Sequence, residues 1–591
     1  MRPVAGCLTA VLSLGLPGTA PAQARVDSQV VAPNEDGLIY YLSPTGAHLV
    51  AVTQKGSRYI VTRDGVAGPA VDAILNPGTA AWIMNFSADG ERYGYTAKVG
   101  QDWIAVVDGK EVYRRAIGTN DLVHRGGGPH LRFSPNGKHW VLYYHNPSAQ
   151  QPADDPSWYL WDGVMGPKGA DANLVVSPDG EHHAYIVVNP ANPNQRALVV
   201  DGKPAGYAGF DPIFSADGTR LYTTREVRPA QGAPVTEVLI NGRLVARAAN
   251  AKIHIPPAGS GALMLIARAD RQGRQVWAIA AGTGIVPNSE SAQFGEVWFS
   301  EDGKHYAIKS TQSGGVSLIV DGVRHREYAS VDSVRFTDAG QVAYLARAGS
   351  KWLVVTGDQE SDVIQGYGAL ATGKGGRVGY VATTSTGPMV VVDGKPTRID
   401  GRLASAEEFR FSPDGTRAAW WIGVAGSPGG TVSVDGAPGS GTLHADFAQI
   451  AARDPKRYLW SPDSKFTLHF GAAGTQWGND FGFFMGDRYY SLGDVRRVSK
   501  PTFTPDGRHL FWLVDDGQRE MLVLWLDGKQ VFEFDGQGRA PLAGDGAGWV
   551  MGADGVLTLV VQTVEGFKRV RVTPGPEAGV EAMLAKAKPV R

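Results

Sequence analysis

One short motif, repeated along almost the whole chain, limits what this sequence can fold into. Phe299-Ser300-Glu301-Asp302-Gly303 is one copy. Others are Phe86-Ser87-Ala88-Asp89-Gly90, Phe133-Ser134-Pro135-Asn136-Gly137, Ser177-Pro178-Asp179-Gly180 and Phe214-Ser215-Ala216-Asp217-Gly218. Further on stand Phe336-Thr337-Asp338-Ala339-Gly340, Phe411-Ser412-Pro413-Asp414-Gly415, Trp460-Ser461-Pro462-Asp463-Ser464 and Phe503-Thr504-Pro505-Asp506-Gly507, and Ser43-Pro44-Thr45-Gly46 precedes them all. Ser, Pro and Asp suit successive positions of a type I turn, and the closing Gly absorbs a positive φ. A second turn alternates with the first: Val107-Asp108-Gly109-Lys110, Val200-Asp201-Gly202-Lys203, Val392-Asp393-Gly394-Lys395 and Leu526-Asp527-Gly528-Lys529, with variants at Ile240-Asn241-Gly242-Arg243 and Val434-Asp435-Gly436. Asp-Gly or Asn-Gly between β-rich runs is a strong hairpin signal.

Two hairpin turns in fixed order give a four-stranded meander. From Phe299 to Phe336 the short runs are Tyr306-Ala307-Ile308, Val316 to Val320, and the one ending Val334-Arg335-Phe336. About four strands in roughly 37 residues is the size of one β-propeller blade. Two gaps are nearly double, Phe214 to Phe299 and Phe336 to Phe411, and each should hide a degenerate unit. The first contains Ala262 to Ile266 and Val276 to Ile279; the second contains Val378 to Val381 and Met389 to Gly394. With a last unit between Trp549 and Val572 the total is about 13, too many for one ordinary ring of at most about eight blades. The expected class is all-β: two tandem β-propellers of about 6–7 four-stranded blades each, after a cleaved signal peptide. The expected divisions are 1–24 signal peptide, 25–296 first propeller, 297–575 second propeller and 576–591 tail, the tail a short helix or a disordered end. Leu38 to Leu42 is expected to close one ring.

The alternation of Phe-Ser-Pro-Asp-Gly and Val-Asp-Gly-Lys resembles the bacterial WD40-like propeller repeat, the PD40 type also found in TolB-like proteins. The resemblance covers nearly the whole chain beyond the leader. It implies the propeller fold and is almost silent on activity. The pattern differs from the eukaryotic WD40 repeat, since Trp161-Asp162 leads straight into a Gly turn. The N-terminal domain that accompanies the propeller in TolB-like proteins has no room here.

Arg2, the apolar run Val4 to Leu16 and Ala22-Gln23-Ala24 fit a secretory leader, so the expected location is periplasmic or secreted. The run is too short to span a bilayer, and no later run is long enough. Cys7 is the single cysteine; most of the apolar run comes after it, whereas a lipobox cysteine follows its apolar region. Cleavage after Ala24 would leave a chain without thiols, and so without a disulfide, a thiol nucleophile or a thiolate metal site. Lys+Arg 57 against Asp+Glu 58 leaves a formal net charge of -1 and no electrostatic case for nucleic acid. Gly 77 and Pro 36, without a Gly-X-Y period, reflect many turns.

His48, His139, His182, His305 and His509 each stand two residues after the turn glycine, and Arg92, Arg220 and Arg417 hold the same slot. A basic residue at one repeat position is a blade feature. Copies one blade apart are too distant to share a metal, even with the His182-His183 pair, and no metal or cofactor is expected. No Gly-x-Ser-x-Gly elbow is present. Function is expected on the longer inter-strand loops. Asn146 to Trp158 carries Asp154, Asp155 and Trp158, and Gly471 to Phe484 carries Trp477, Asn479 and Asp480. An aromatic ring beside amide and carboxylate groups can stack on and hydrogen-bond a sugar or peptide. The reading at this point is a non-catalytic binding or scaffold protein for a protein, peptide or envelope glycan. The alternative is a hydrolase or lyase with its site in a central channel.

Overall fold

The computed structural model describes residues 24–32, 39–74, 84–116, 129–144, 157–169, 174–189, 192–207, 210–229, 233–270, 272–281, 284–312, 314–361, 364–399, 403–424, 430–437, 458–472, 481–493, 497–499, 501–516, 521–534, 549–563, 565–576 and 579–589. Residues 1–23, nearly all of the expected leader, fall outside them.

The turn chemistry folds each repeat into a small sheet. In the copy at Ser87, the Gly90 amide donates to the Ser87 carbonyl at 2.9 Å, which closes the turn. The Ser87 hydroxyl donates to Asp89 and accepts the Arg92 amide at 2.9 Å. The same arrangement recurs at Ser134, Ser177, Ser215, Ser300, Ser412, Ser461 and Thr504. These hydroxyls are buried, Ser87 and Ser177 completely, and burial of a hydroxyl is tolerated only when it is hydrogen-bonded. In the second turn both residues take positive φ, as a type I′ turn requires: Asp108 at 50° with Gly109 at 77°, Asp321 at 48° with Gly322 at 85°.

Among the described residues these turns join thirteen small sheets, and the protein is an all-β propeller. Each described ladder is antiparallel. The third blade is typical: His130–Phe133, Trp140–Tyr144, Trp158–Trp161 and Val164–Met165 follow in chain order across the sheet. Both long gaps hold the expected hidden blade. The sixth blade is built from Asn250–His254, Leu263–Ala269, Gln275–Ala281 and Gly284–Ile285, and the ninth from Gly366–Thr372, Val378–Thr384, Gly387–Val392 and Lys395–Arg398.

One expectation is corrected. Ile39–Leu42 is the first strand of its own blade and pairs with Leu49–Lys55. The reason is local: it runs directly into the turn Ser43 to Gly46, which folds it back on the next strand. The strand that completes a distant blade is Arg25–Ala32. It lies against Gly566–Thr573 with Arg25 opposite Thr573, so the first described strand completes the thirteenth sheet, while the last, Lys588–Pro589, pairs with Arg488–Gly493 of the eleventh blade.

The chain packs as two compact units. One gathers the described residues of Met1–Thr53, Thr62–Val66 and Trp421–Arg591; the other gathers Gln54–Val61 and Ala67–Trp420. Position 296/297 lies inside the strand Gln293–Phe299 and within the second of these units. Cores form between neighbouring blades. Between the second and third, Ala105, Val107, Leu131, Leu142 and Leu160 are buried together. In the tail, the helix Val580–Lys586 buries Val580, Met583 and Leu584 against Leu468, Phe483 and Trp512. Among the described residues no helix is long and apolar enough to cross a membrane.

Candidate functional site

An antiparallel meander puts its first and third turns at one end of the blade and its second turn at the other. The two repeated motifs therefore share one end, and the longer second-to-third connections leave from the opposite end.

The turn end is occupied by a lattice that uses the repeated basic residue. His139 Nδ1 lies 2.5 Å from Asp162 Oδ2, while Asp162 Oδ1 accepts the Trp140 amide at 2.9 Å. His48–Asp64, His182–Asp201, His305–Asp321 and His509–Asp527 repeat the pair, and Arg92–Asp108 and Arg377–Asp393 replace imidazole with guanidinium. The aspartate accepts from the next backbone amide and from the basic side chain at once. The basic group also reaches the following blade. Arg92 Nη1 donates to the Lys138 carbonyl at 2.6 Å, Arg377 Nη1 donates to the Thr416 carbonyl at 2.7 Å, and His139 Nε2 approaches Glu181 at 3.4 Å. Burial alone would lower the His139 pKa. Asp162 and Glu181 outweigh it, and the net direction is upward. The two halves of the His182-His183 pair have different surroundings. His182 contacts Asp201 at 2.9 Å, and His183 stacks on Trp161 with centroids 4.3 Å apart. Among the described residues no group of three or more His, Cys, Asp or Glu could hold a metal ion.

The loop end of the third blade carries the first candidate group. Asp154 and Asp155 lie outside the described residues. Trp158 opens the third strand directly opposite Tyr144, the last residue of the second. Their rings stack at 5.7 Å and 24°, and Tyr113 of the second blade packs on Trp158 at 5.4 Å. Arg115 covers the pair, 5.5 Å from the Tyr144 ring and 5.9 Å from that of Trp158. Trp158 is 1% exposed, so its ring is a wall of the inter-blade core and the cation beside it stands nearer the loop end.

The second candidate group belongs to the eleventh blade. Trp477, Asn479 and Asp480 lie outside the described residues. The strands that lead into and out of the loop, Thr467–Ala472 and Phe481–Met485, meet with Ala472 opposite Phe481. Below them His469 stacks on Phe484 at 5.1 Å and meets Trp421 edge-on at 6.3 Å. Among the described residues neither His469 ring nitrogen has a hydrogen-bond partner. Burial pushes its pKa down to about 3, so the ring is neutral at physiological pH.

The described strands beside each segment thus carry an aromatic cluster with a nitrogen-bearing side chain against it, Arg115 in one case and His469 in the other. Arg115, Tyr144 and His469 were missed from sequence. The available signal was position: Tyr144 immediately precedes its loop, and His469 stands two residues before Gly471.

No family model matches the chain, and no curated protein does. Solved structures do match. The tricorn protease aligns over 75% of this chain and 46% of its own, at 13% identity and a TM-score of 0.19. A Pyrococcus horikoshii acylaminoacyl peptidase aligns over 48% of this chain and 55% of its own, at 13% identity and a TM-score of 0.23. TolB from Acinetobacter baumannii aligns over 36% and 53%, at 16% identity and a TM-score of 0.16. The chain thus spans about half the length of each. Likenesses this distant transfer no activity, and the strand order carries the fold by itself.

Proposed function

We propose that this is an exported WD40-like propeller protein of the PD40, TolB-related type that binds a protein, peptide or envelope glycan through its loop end, without catalysis of its own. The observation that carries the reading is the division of labour within each blade. At the turn end the paired acids and bases are consumed by the lattice: in His509–Asp527 one carboxylate oxygen holds the imidazole and the other holds the Leu510 amide. At the other end, the described strands that flank the segments bearing Asp154, Asp155, Trp477, Asn479 and Asp480 carry aromatic clusters around Trp158 and Phe484. Stacking surfaces beside amides and carboxylates suit recognition of sugar rings and peptide groups.

The test is equilibrium binding of the purified protein to soluble peptidoglycan fragments and to a peptide library, with product analysis of the same mixtures. Saturable binding that Asp154→Asn with Asp155→Asn, or Trp477→Ala, weakens about tenfold supports the reading. Turnover of any of these compounds would establish the hydrolase or lyase alternative instead. Binding indifferent to changes in both loops would move the site elsewhere.

A further inference from the structure

The fifth blade contains an arginine pair that the turn lattice and the candidate loops do not use. Arg225, Glu237 and Arg247 face one another in register across three adjacent strands, Leu221–Val227, Val235–Ile240 and Arg243–Ala248. Arg225 Nε donates to Glu237 Oε2 at 2.5 Å, and Arg247 Nε donates to Oε1 at 2.7 Å. The Glu237 side chain is 2% exposed, whereas Arg225 and Arg247 are 37% and 66% exposed. We propose that Arg225 and Arg247, oriented by Glu237, form a binding site for a small oxyanion, a carboxylate or a phosphate.

A buried carboxylate needs a cationic partner, and one guanidinium would neutralise it. Two leave an unbalanced positive charge held in a fixed place. The manner of attachment matters more than the charge. Each arginine spends only Nε on Glu237, and among the described residues neither Nη group of either side chain has a protein partner.

Arg228 and Arg274 also bind a carboxylate through Nε, but each does so alone and not as a pair on one buried carboxylate. Several other arginines of this chain place their Nη groups on protein acceptors. Arg324 commits Nη1 to Ser310 and Ser317 and Nη2 to the Glu290 carbonyl. Arg92 and Arg377 commit Nη1 to the carbonyls of the next blade. Arg114 divides Nε, Nη1 and Nη2 between Glu111 and Asp102. Arg225 and Arg247 keep the outer edges of their forks, the part that fits the spacing of two oxyanion oxygens.

Calorimetric titration at low salt with inorganic phosphate, and separately with succinate, tests the site and names its preferred anion. Saturable binding of one anion per chain is expected in at least one arm. Arg225→Gln and Arg247→Gln should each weaken it about tenfold, and Arg247→Lys should weaken it too, because an ammonium keeps the charge but not the fork. Glu237→Gln raises the local positive charge yet should also weaken binding, since the guanidiniums lose their anchor; thermal unfolding checks that this variant is folded. The proposal is overturned if neither probe saturates, if Arg247→Lys binds as the wild type does, or if a folded Glu237→Gln binds more tightly. The last two results would mark diffuse attraction to surface charge.

Discussion

His509 Nδ1 lies 2.7 Å from Asp527 Oδ2, with the two side chains only 7% and 2% exposed, while Asp527 Oδ1 accepts the Leu510 amide at 2.8 Å. Asp527 itself sits at φ 49°, where Asp and Asn are the residues other than Gly that fit most readily. One side chain therefore meets three demands: backbone conformation, an amide acceptor and a partner for imidazole. The fifth blade shows which demand is most general. There Asn241 holds φ 48° and accepts the Leu221 amide at 2.7 Å. Asp527→Asn should accordingly be mild, and Asp527→Ala should cost about 2–4 kcal/mol through an unsatisfied buried amide and imidazole together. Urea unfolding of both variants checks the ranking, and equal costs would contradict it.

His469 predicts an acid sensitivity. Burial holds its folded pKa near 3, below the ordinary value of about 6.5 for an unfolded histidine. Below pH 6.5 the unfolded chain takes up a proton that the folded chain refuses. Stability is then fully present above pH 6.5 and falls as pH drops toward 3, by up to about 1.4 kcal/mol per pH unit. His183, His254 and His325, also lowered by burial, add in the same direction. His469→Phe should make the slope between pH 6 and 4 shallower by one proton, measured by denaturant unfolding at each pH. An unchanged slope would mean that the ring is protonated when folded.

Two glycines separate backbone strain from blade contact. Gly202, at φ 74°, has nothing among the described residues within 4 Å of where a Cβ would stand. Gly180, at φ 77°, would place a Cβ 2.5 Å from Asn136 Cγ of the preceding blade, and Asn136 Nδ2 donates to the Asp179 carbonyl there. Gly202→Ala should cost only the price of a left-handed alanine, about 1–2 kcal/mol. Gly180→Ala should cost more, because the inter-blade hydrogen bond must yield as well. A thermal shift larger for Gly202→Ala would refute the contact.

Arg377 tests the link between the ninth and tenth blades. Its Nη1 bonds the Gly415 and Thr416 carbonyls at 3.0 and 2.7 Å, and its guanidinium covers Phe411 at 4.9 Å. Arg377→Ala should lower stability by about 1–3 kcal/mol, and Arg377→Lys should recover only part, since lysine can pair with Asp393 but cannot fork to two carbonyls. Full recovery by lysine, read from urea unfolding, would reduce the link to charge alone.

The fold was unusually legible because its determinants are local. Ser300, Asp302 and Gly303 write one turn, Asp321 and Gly322 write the next, and strand pairing follows from their order. Even the blade in the gap from Phe214 to Phe299, which lacks the motif at its first turn, could be placed by its apolar runs. What local chemistry could not supply was long-range. Nothing in Arg25–Ala32 names Gly566–Thr573 as its partner, because pairing strands so far apart in sequence leaves no turn to read. The site was less legible for the same reason. Trp158 was found as an aromatic next to acids, but its burial depends on Tyr113 of another blade. His139 was recognised as a repeat feature, and its reach to Glu181 appears only when the blades are packed.

The central structural claim is that the chain's first described strand closes its last blade. Asp27 and Arg571 are directly opposed in that ladder, and opposed residues in an antiparallel pair have Cα atoms about 4.5–5.5 Å apart, within disulfide range. The chain has one native cysteine, Cys7, so a Cys7→Ser background carrying Asp27→Cys and Arg571→Cys is unambiguous. Under mild oxidation, mass spectrometry of tryptic peptides should show the two segments joined in folded protein and unjoined when the chain is oxidised in denaturant. Failure of the folded protein to form that link would contradict closure by the N-terminal strand.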